Sequence, residues 1–169
     1  MPLIKNGAEL RDDSWTHLDD HEDAPGGAAV IVSLARWQRD CVELLGRDGE
    51  LGVRLAADES PALIADDIDC FAVVALTFPA FKDGRAFSYA RLLRERLGYT
   101  RELRAIGNVL RDQAQFMLRC GFDTFEVQKP EDADAWRVVS EDIGMWYQPT
   151  GDQRPWAMQL RHARQLSAE

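Results

Sequence analysis

Short apolar runs alternate along this chain with segments of helical period. Residues 2–18 read as a hairpin, in which Leu3-Ile4-Lys5 and Glu9–Leu18 flank Asn6-Gly7, the dipeptide favoured in a type I′ turn. Residues 19–27 are acidic and end in Pro-Gly-Gly, which predicts a linker or long loop. Ala29–Ser33 is a buried strand, and Ser33 is placed to cap the helix that follows. In that helix Leu34, Trp37, Cys41 and Leu44 or Leu45 share one face, and Gly46 stops it. Leu51–Ala56 reads as a strand and Pro61–Asp66 as a short helix. Cys70–Leu76 is apolar throughout, so it predicts a strand covered on both faces. A helix follows over Phe87–Leu97, with Ala90, Leu93 and Leu97 inward and Gly98 as its stop. Leu103–Ile106 is a strand that gives way to Gly107-Asn108. Asn108 is placed to cap the next helix, whose buried stripe is Leu110, Ala114, Met117 and Leu118, and Gly121 ends it. Phe122–Val127 is the next strand. Pro130 with Glu131, Asp132 and Asp134 suits the first turn of a helix running to about Ile143. Met145–Gln148 reads as a last short strand, and the polar tail from Pro149 holds a helical turn or two.

Alternation of this kind predicts an α/β fold: strand–helix units around a mainly parallel sheet with right-handed crossovers, preceded by an N-terminal β-hairpin. A full eight-unit barrel needs about 250 residues. The sheet is therefore open or a partial barrel. One domain is expected over 1–169, with hairpin and acidic linker at 1–27, the α/β core at 28–148 and the tail at 149–169. In either architecture, binding residues gather where strands end and helices begin.

Composition narrows the function. The chain has 169 residues, of which 46% are hydrophobic and 29% charged, with a net charge of −9. That balance argues against a nucleic-acid or anionic-membrane binder. No apolar run reaches the roughly 20 residues of a membrane span. The start of the chain lacks the pattern of a signal peptide, and Cys41, Cys70 and Cys120 are odd in number and far apart, so a reducing cytoplasm is expected. Their spacing suits neither an iron–sulfur cluster nor a structural zinc. No glycine-rich nucleotide fingerprint is present either, so no cofactor and no metal is expected. His17 and His21 have the i,i+4 spacing of metal ligands, but in a loop that spacing carries little.

Charge is unevenly spread. Residues 82–119 hold nine basic and four acidic residues, a net +5 inside an acidic protein. Arg91, Arg94, Arg96 and Arg101 read as a solvated helix face. Arg85 and Arg111 differ, because each falls in the first turn of a helix, where the dipole disfavours a cation. Each needs a partner: a carboxylate such as Asp83 or Asp112, or a bound anion. The connection Thr77–Ala86 is long for such a fold and carries Lys82, Asp83 and Arg85 among Phe78, Phe81 and Phe87. It reads as a binding loop or as a packing loop.

A long pattern runs through the same block. It comprises Phe78, Pro79, Phe81, Asp83, Gly84, Arg85, Phe87, Ser88, Ala90, Leu93 and Arg94. It continues through Leu103, Arg104, Ala105, Gly107, Val109, Asp112 and Gln113, and closes on Arg119-Cys120-Gly121-Phe122-Asp123. The pattern resembles the bacterial domain of unknown function numbered 934. Asn108 departs from it, since an acidic residue is expected there in many members. Members are often labelled oxidoreductases of sulfite reduction, because their genes lie beside sulfite or nitrite reductase genes. The resemblance therefore implies an accessory protein of assimilatory sulfite or nitrite reduction, with the reductase or a small oxyanion as partner. The candidate contacts are Lys82, Asp83, Gly84, Arg85 and Ser88 from the first turn. Arg104, Asn108, Arg111, Asp112 and Gln113 come from the second. A small-molecule enzyme is the alternative, with Arg85 and Arg104 holding an anion and Asp83 or Asp112 as general base. An interaction module without a ligand, and a homodimer, also stay open.

Overall fold

The computed structural model describes residues 3–5, 8–10, 13–127, 135, 136, 138, 146–148, 150 and 155–166. Eight strands form one sheet: β1 (Leu3–Lys5), β2 (Ala8–Leu10), β3 (Trp15–His17), β4 (Ala29–Ser33), β5 (Leu51–Leu55), β6 (Val73–Phe78), β7 (Glu102–Gly107) and β8 (Thr124–Glu126). Their order is β2-β1-β8-β7-β6-β5-β4-β3. The six strands β3 to β8 are parallel, while β1 pairs antiparallel with both β2 and β8, so the sheet is mixed. Among the described residues the longer helices are α1 (Leu34–Gly46), α2 (Arg85–Arg91), α3 (Ala114–Cys120) and α4 (Ala157–Leu166). Pro61–Cys70 and Arg111–Gln113 wind as tighter 3₁₀ turns.

The sheet is strongly curled. Strands β8 and β3 stand five spacings apart in the order, which in a flat sheet is about 24 Å. Yet His17 on β3 lies 2.7 Å from Glu126 on β8. Only a half-barrel brings those strands within reach, which settles the choice between open sheet and partial barrel. Strand periodicity then sorts the residues. The outer face carries Val32, Val53, Val74, Leu76, Leu103 and Phe125, which pack with α1, α2 and α3 in one continuous core. The inner face carries Ile31, Val73, Ala75 and Ile106, with Trp15 laid against them. A Cβ at Gly52 would stand 3.3 Å from the Trp15 ring and 3.0 Å from Ile31, so the bare backbone there makes room for the indole.

Several expectations need correction. The hairpin exists, with Lys5 opposite Ala8, but its second arm ends at Leu10. The expected continuation to Leu18 is instead β3, on the opposite end of the sheet and parallel to β4. Residues 13–17 thus serve a different strand neighbour from residues 8–10. The acidic segment after β3 is a loop, as expected, and α1 holds it: Arg36 donates to the Asp19 carbonyl at 2.6 Å, and Ser33 Oγ donates to Asp20. Ser33 also accepts from Arg36 N at 3.0 Å, so it does cap α1. The strand expected from Cys70 begins at Val73, because Cys70 completes the 3₁₀ turn. Asn108 does not cap α3. Its backbone N–H donates to the Phe78 carbonyl at 2.7 Å, and the 3₁₀ turn Arg111–Gln113 leads into the helix. Leu110, expected inside, is exposed. Strand β8 is shorter than Phe122–Val127. Residues 146–148 of the expected last strand are not in a strand, while most of the helix expected from Pro130 to about Ile143 lies outside the described residues. The tail does hold a helix, α4.

Candidate functional site

The carboxyl edge of β6 and β7 carries Lys82, Arg85 and Arg111 of the cationic block. The two strands pair in parallel with Phe78 opposite Gly107, so the turns that leave them emerge side by side. Phe78 meets Phe87 of α2 at 5.1 Å, and Phe87 meets Phe116 of α3 at 4.8 Å between ring centroids. This aromatic seam fixes the two turns against each other. The same turns carry apolar side chains in water: Phe81 is 55% exposed and Leu110 37%, and Phe116 of the seam is 58% exposed.

The charged candidates fall around this seam. Asp83 accepts from Arg85 Nε at 2.9 Å and Nη2 at 2.6 Å, a two-point pair at the start of α2. That hydrogen-bonded guanidinium holds the Asp83 carboxyl below the usual carboxylate range. The cation at the helix start is therefore answered by a carboxylate. Lys82 and Gly84 are exposed in the same loop, and Ser88 is exposed on α2. Arg111 and Asp112 are exposed and Asn108 and Gln113 half-buried in the second turn. Among the described residues no hydrogen bond or ion pair joins Arg85 to Asn108, Arg111, Asp112 or Gln113. Arg111 and Lys82 have no ion-pair partner there. Ser88 lines a separate shallow groove of about 430 Å³ with Tyr89, Arg91, Leu92, Glu95 and Arg96.

Arg104 lies elsewhere. Its side chain is fully buried on the inner face of the half-barrel. It donates to Asp13 at 2.8 and 3.2 Å, to Glu102 at 3.0 Å and to Glu126 at 3.2 Å. Three carboxylates thus occupy its guanidinium. Burial alone would ease its proton off, but the bonds to Asp13 and Glu102 outweigh that and hold it charged. Lys5 adds a contact to Glu102 at 3.3 Å, and Thr124 Oγ1 donates to the same carboxylate at 2.9 Å. His17, expected in a loop, closes the cluster from β3. Sequence reading missed Asp13, His17, Glu102 and Glu126 as partners. A signal was present: Glu102 and Arg104, like Thr124 and Glu126, stand two apart in apolar strands and so must share one covered face.

Glu126 illustrates how the cluster sets charge. Burial pushes its carboxyl up, but His17 and then Arg104 more than offset this and leave it below the ordinary range. A carboxyl depressed on folding stabilises the fold above its unfolded titration point and loses that contribution as pH falls through the folded one. Stability is therefore expected to decline below about pH 4.5, and Glu126→Gln to flatten that acid limb. Urea unfolding from pH 3 to 7 checks this, and equal acid limbs in both proteins would contradict it.

One arginine of the expected solvated face is not solvated. Arg91 and Glu95 do pair on the surface at 2.9 Å, and Arg96 and Arg101 are exposed. Arg94 instead points back under the π turn Leu92–Arg96 that extends α2. It donates to the carbonyls of Gly121 at 2.9 Å, Tyr99 at 2.6 Å and Arg101 at 2.8 Å, and pairs with Asp123. Gly121 has φ +102, and a Cβ there would meet Arg94 Cγ at 2.5 Å. A lysine has one nitrogen and cannot span these acceptors. Arg94→Lys should cost about 2 kcal/mol of stability, read as a lower urea midpoint, whereas Arg96→Lys should be neutral. Equal midpoints for the two variants would overturn the clamp.

The three cysteines form no disulfide. Among the described residues no group of three or more His, Cys, Asp or Glu is arranged to hold a metal ion, and no helix is long and apolar enough to cross a membrane. Against known proteins, a family model described as a bacterial protein of unknown function (DUF934) matches residues 52–157. No curated protein and no solved structure matches the chain.

Proposed function

We propose a function for this chain from one premise: it belongs to the bacterial protein family of unknown function DUF934. It acts as an accessory protein of assimilatory sulfite or nitrite reduction and docks on an acidic face of the reductase. The docking edge is the pair of turns after β6 and β7. One observation carries this reading: exposed Phe81, Leu110 and Phe116 share that edge with Lys82, Arg85 and Arg111, in a protein of net charge −9. Exposed aromatics beside cations are the residue types that anchor protein interfaces. The cations steer an acidic partner in, and the rings supply the desolvated centre. The reductase as partner rests on the resemblance of the Phe78–Asp123 pattern. A small oxyanion fits the edge less well, because Arg85 would first have to leave Asp83.

Calorimetric titration of the purified sulfite reductase from the same bacterium tests this. Saturable binding is expected, weakening as salt rises. Phe116→Ala should weaken it about tenfold and Arg111→Glu by a comparable factor. Both positions are exposed, so both variants should fold. Absence of binding, or undiminished binding by both variants, would overturn the reading.

A further inference from the structure

The inner face of the half-barrel holds a second arginine. Arg54 of β5 stands opposite Ala75 of β6, and Ala75 stands opposite Arg104 of β7, so the two arginines share one row across a small residue. Their surroundings differ. Arg104 is enclosed by Asp13, Glu102 and Glu126. Arg54 is half-buried, and among the described residues it makes no hydrogen bond and no ion pair. Five other described arginines are buried or half-buried: Arg36, Arg47, Arg94, Arg104 and Arg119. Each of these donates to at least one carbonyl or carboxylate. Arg54 is the exception among them, with five donors and a charge that it cannot shed.

Arg54 also lies where parallel strands present ligands. It is the last residue but one of β5, and Thr77 is the last but one of β6. Carboxyl ends of parallel strands are the usual binding places of α/β sheets. Strand alternation puts Thr77 on the inner face with Val73 and Ala75, two places beyond the residue opposite Arg54. Thr77 is half-buried, and its hydroxyl has no partner among the described residues. The acids close by are held by other groups. Ser33, opposite Arg54 on β4, donates to Asp20, and Glu59 accepts from the Ala56 N–H at 2.7 Å. Ala56 and Ala75 put only methyl groups beside the guanidinium. We propose that Arg54 and Thr77 form a binding site for a small oxyanion group, either a carboxylate or a tetrahedral anion. The guanidinium fork donates to two of its oxygens, and the Thr77 hydroxyl donates to one of them. The site uses no residue of the docking edge, so either reading can fail without the other.

NMR titration of the full chain with sodium sulfate and with sodium acetate tests the site, against sodium chloride at matched ionic strength. Saturable shifts of the Arg54 Nε–H and of amides 54–57 and 75–78 are expected with sulfate, acetate or both, and none with chloride. A response to sulfate alone identifies a tetrahedral anion, and a response to acetate a carboxylate. Arg54→Met keeps the apolar stem and should abolish the shifts. Thr77→Val removes one donor to a charged group and should weaken binding about tenfold. Without added anion, Arg54→Met should leave the urea midpoint unchanged, because no partner is lost. A partner supplied from outside the described residues would show as a lowered midpoint. No saturable shift in the wild type, undiminished shifts in folded Arg54→Met, or that lowered midpoint would overturn the site.

Discussion

Replacing Arg104 by methionine should destabilise the protein by about 3–5 kcal/mol near neutral pH, the range found when one partner of a buried ion pair is removed. For a domain of this length that is a fall on the order of 10 °C in Tm. Methionine fills much of the arginine's volume, so the loss is electrostatic more than a matter of packing. Asp13, Glu102 and Glu126 would be left facing one another without the guanidinium that separates them. The effect should shrink with acid. In acid, protonated carboxyls cease to repel one another. Arg104→Lys should fall between, since it keeps the charge but loses the fork. Urea unfolding at pH 7 and pH 4 gives all three comparisons. A loss below about 0.5 kcal/mol at pH 7 would show that the cluster contributes nothing to the fold.

Gly107→Ala should be nearly as damaging, at about 2–4 kcal/mol. Gly107 ends β7 at φ +88, and a Cβ there would stand 2.6 Å from the Phe78 carbonyl oxygen. That oxygen is backbone and accepts from Asn108, so it cannot simply step aside. The substitution therefore strains the residue and pushes apart the two turns after β6 and β7. Gly84→Ala is the matched control, because φ is −92 and the nearest atom is 3.7 Å away. It should be neutral or slightly stabilising. Equal unfolding midpoints for the two alanine variants would contradict the close approach of β6 and β7 at this edge.

Much of the fold was legible because local signals and burial agree. Val73–Phe78 is apolar on both faces, and Ser33 both ends a strand and caps a helix, so neither needed tertiary information. What misled was curvature. Nothing local to Trp15–His17 says that it leaves the hairpin and pairs with β4, since that choice is made by Asp13, His17 and their distant partners. Arg94 failed for a related reason. Its position along α2 reads as exposed, but the π turn and the glycine at 121 open a path beneath the helix. The candidate site was legible as a charge block and as a pair of strand ends. Its division was not, because Arg104 and Arg85 are close in sequence yet serve the inner face and the outer edge.

Under the proposed docking, the turns after β6 and β7 receive an acidic reductase surface, and hydrogen exchange of the chain with and without saturating sulfite reductase reads that contact directly. Protection should rise over 79–87 and 107–118 and stay unchanged over α1, where Val42 and Leu45 are the competing exposed apolar residues. Protection centred on α1, or on the groove at Ser88–Arg96 with the two turns unchanged, would contradict it.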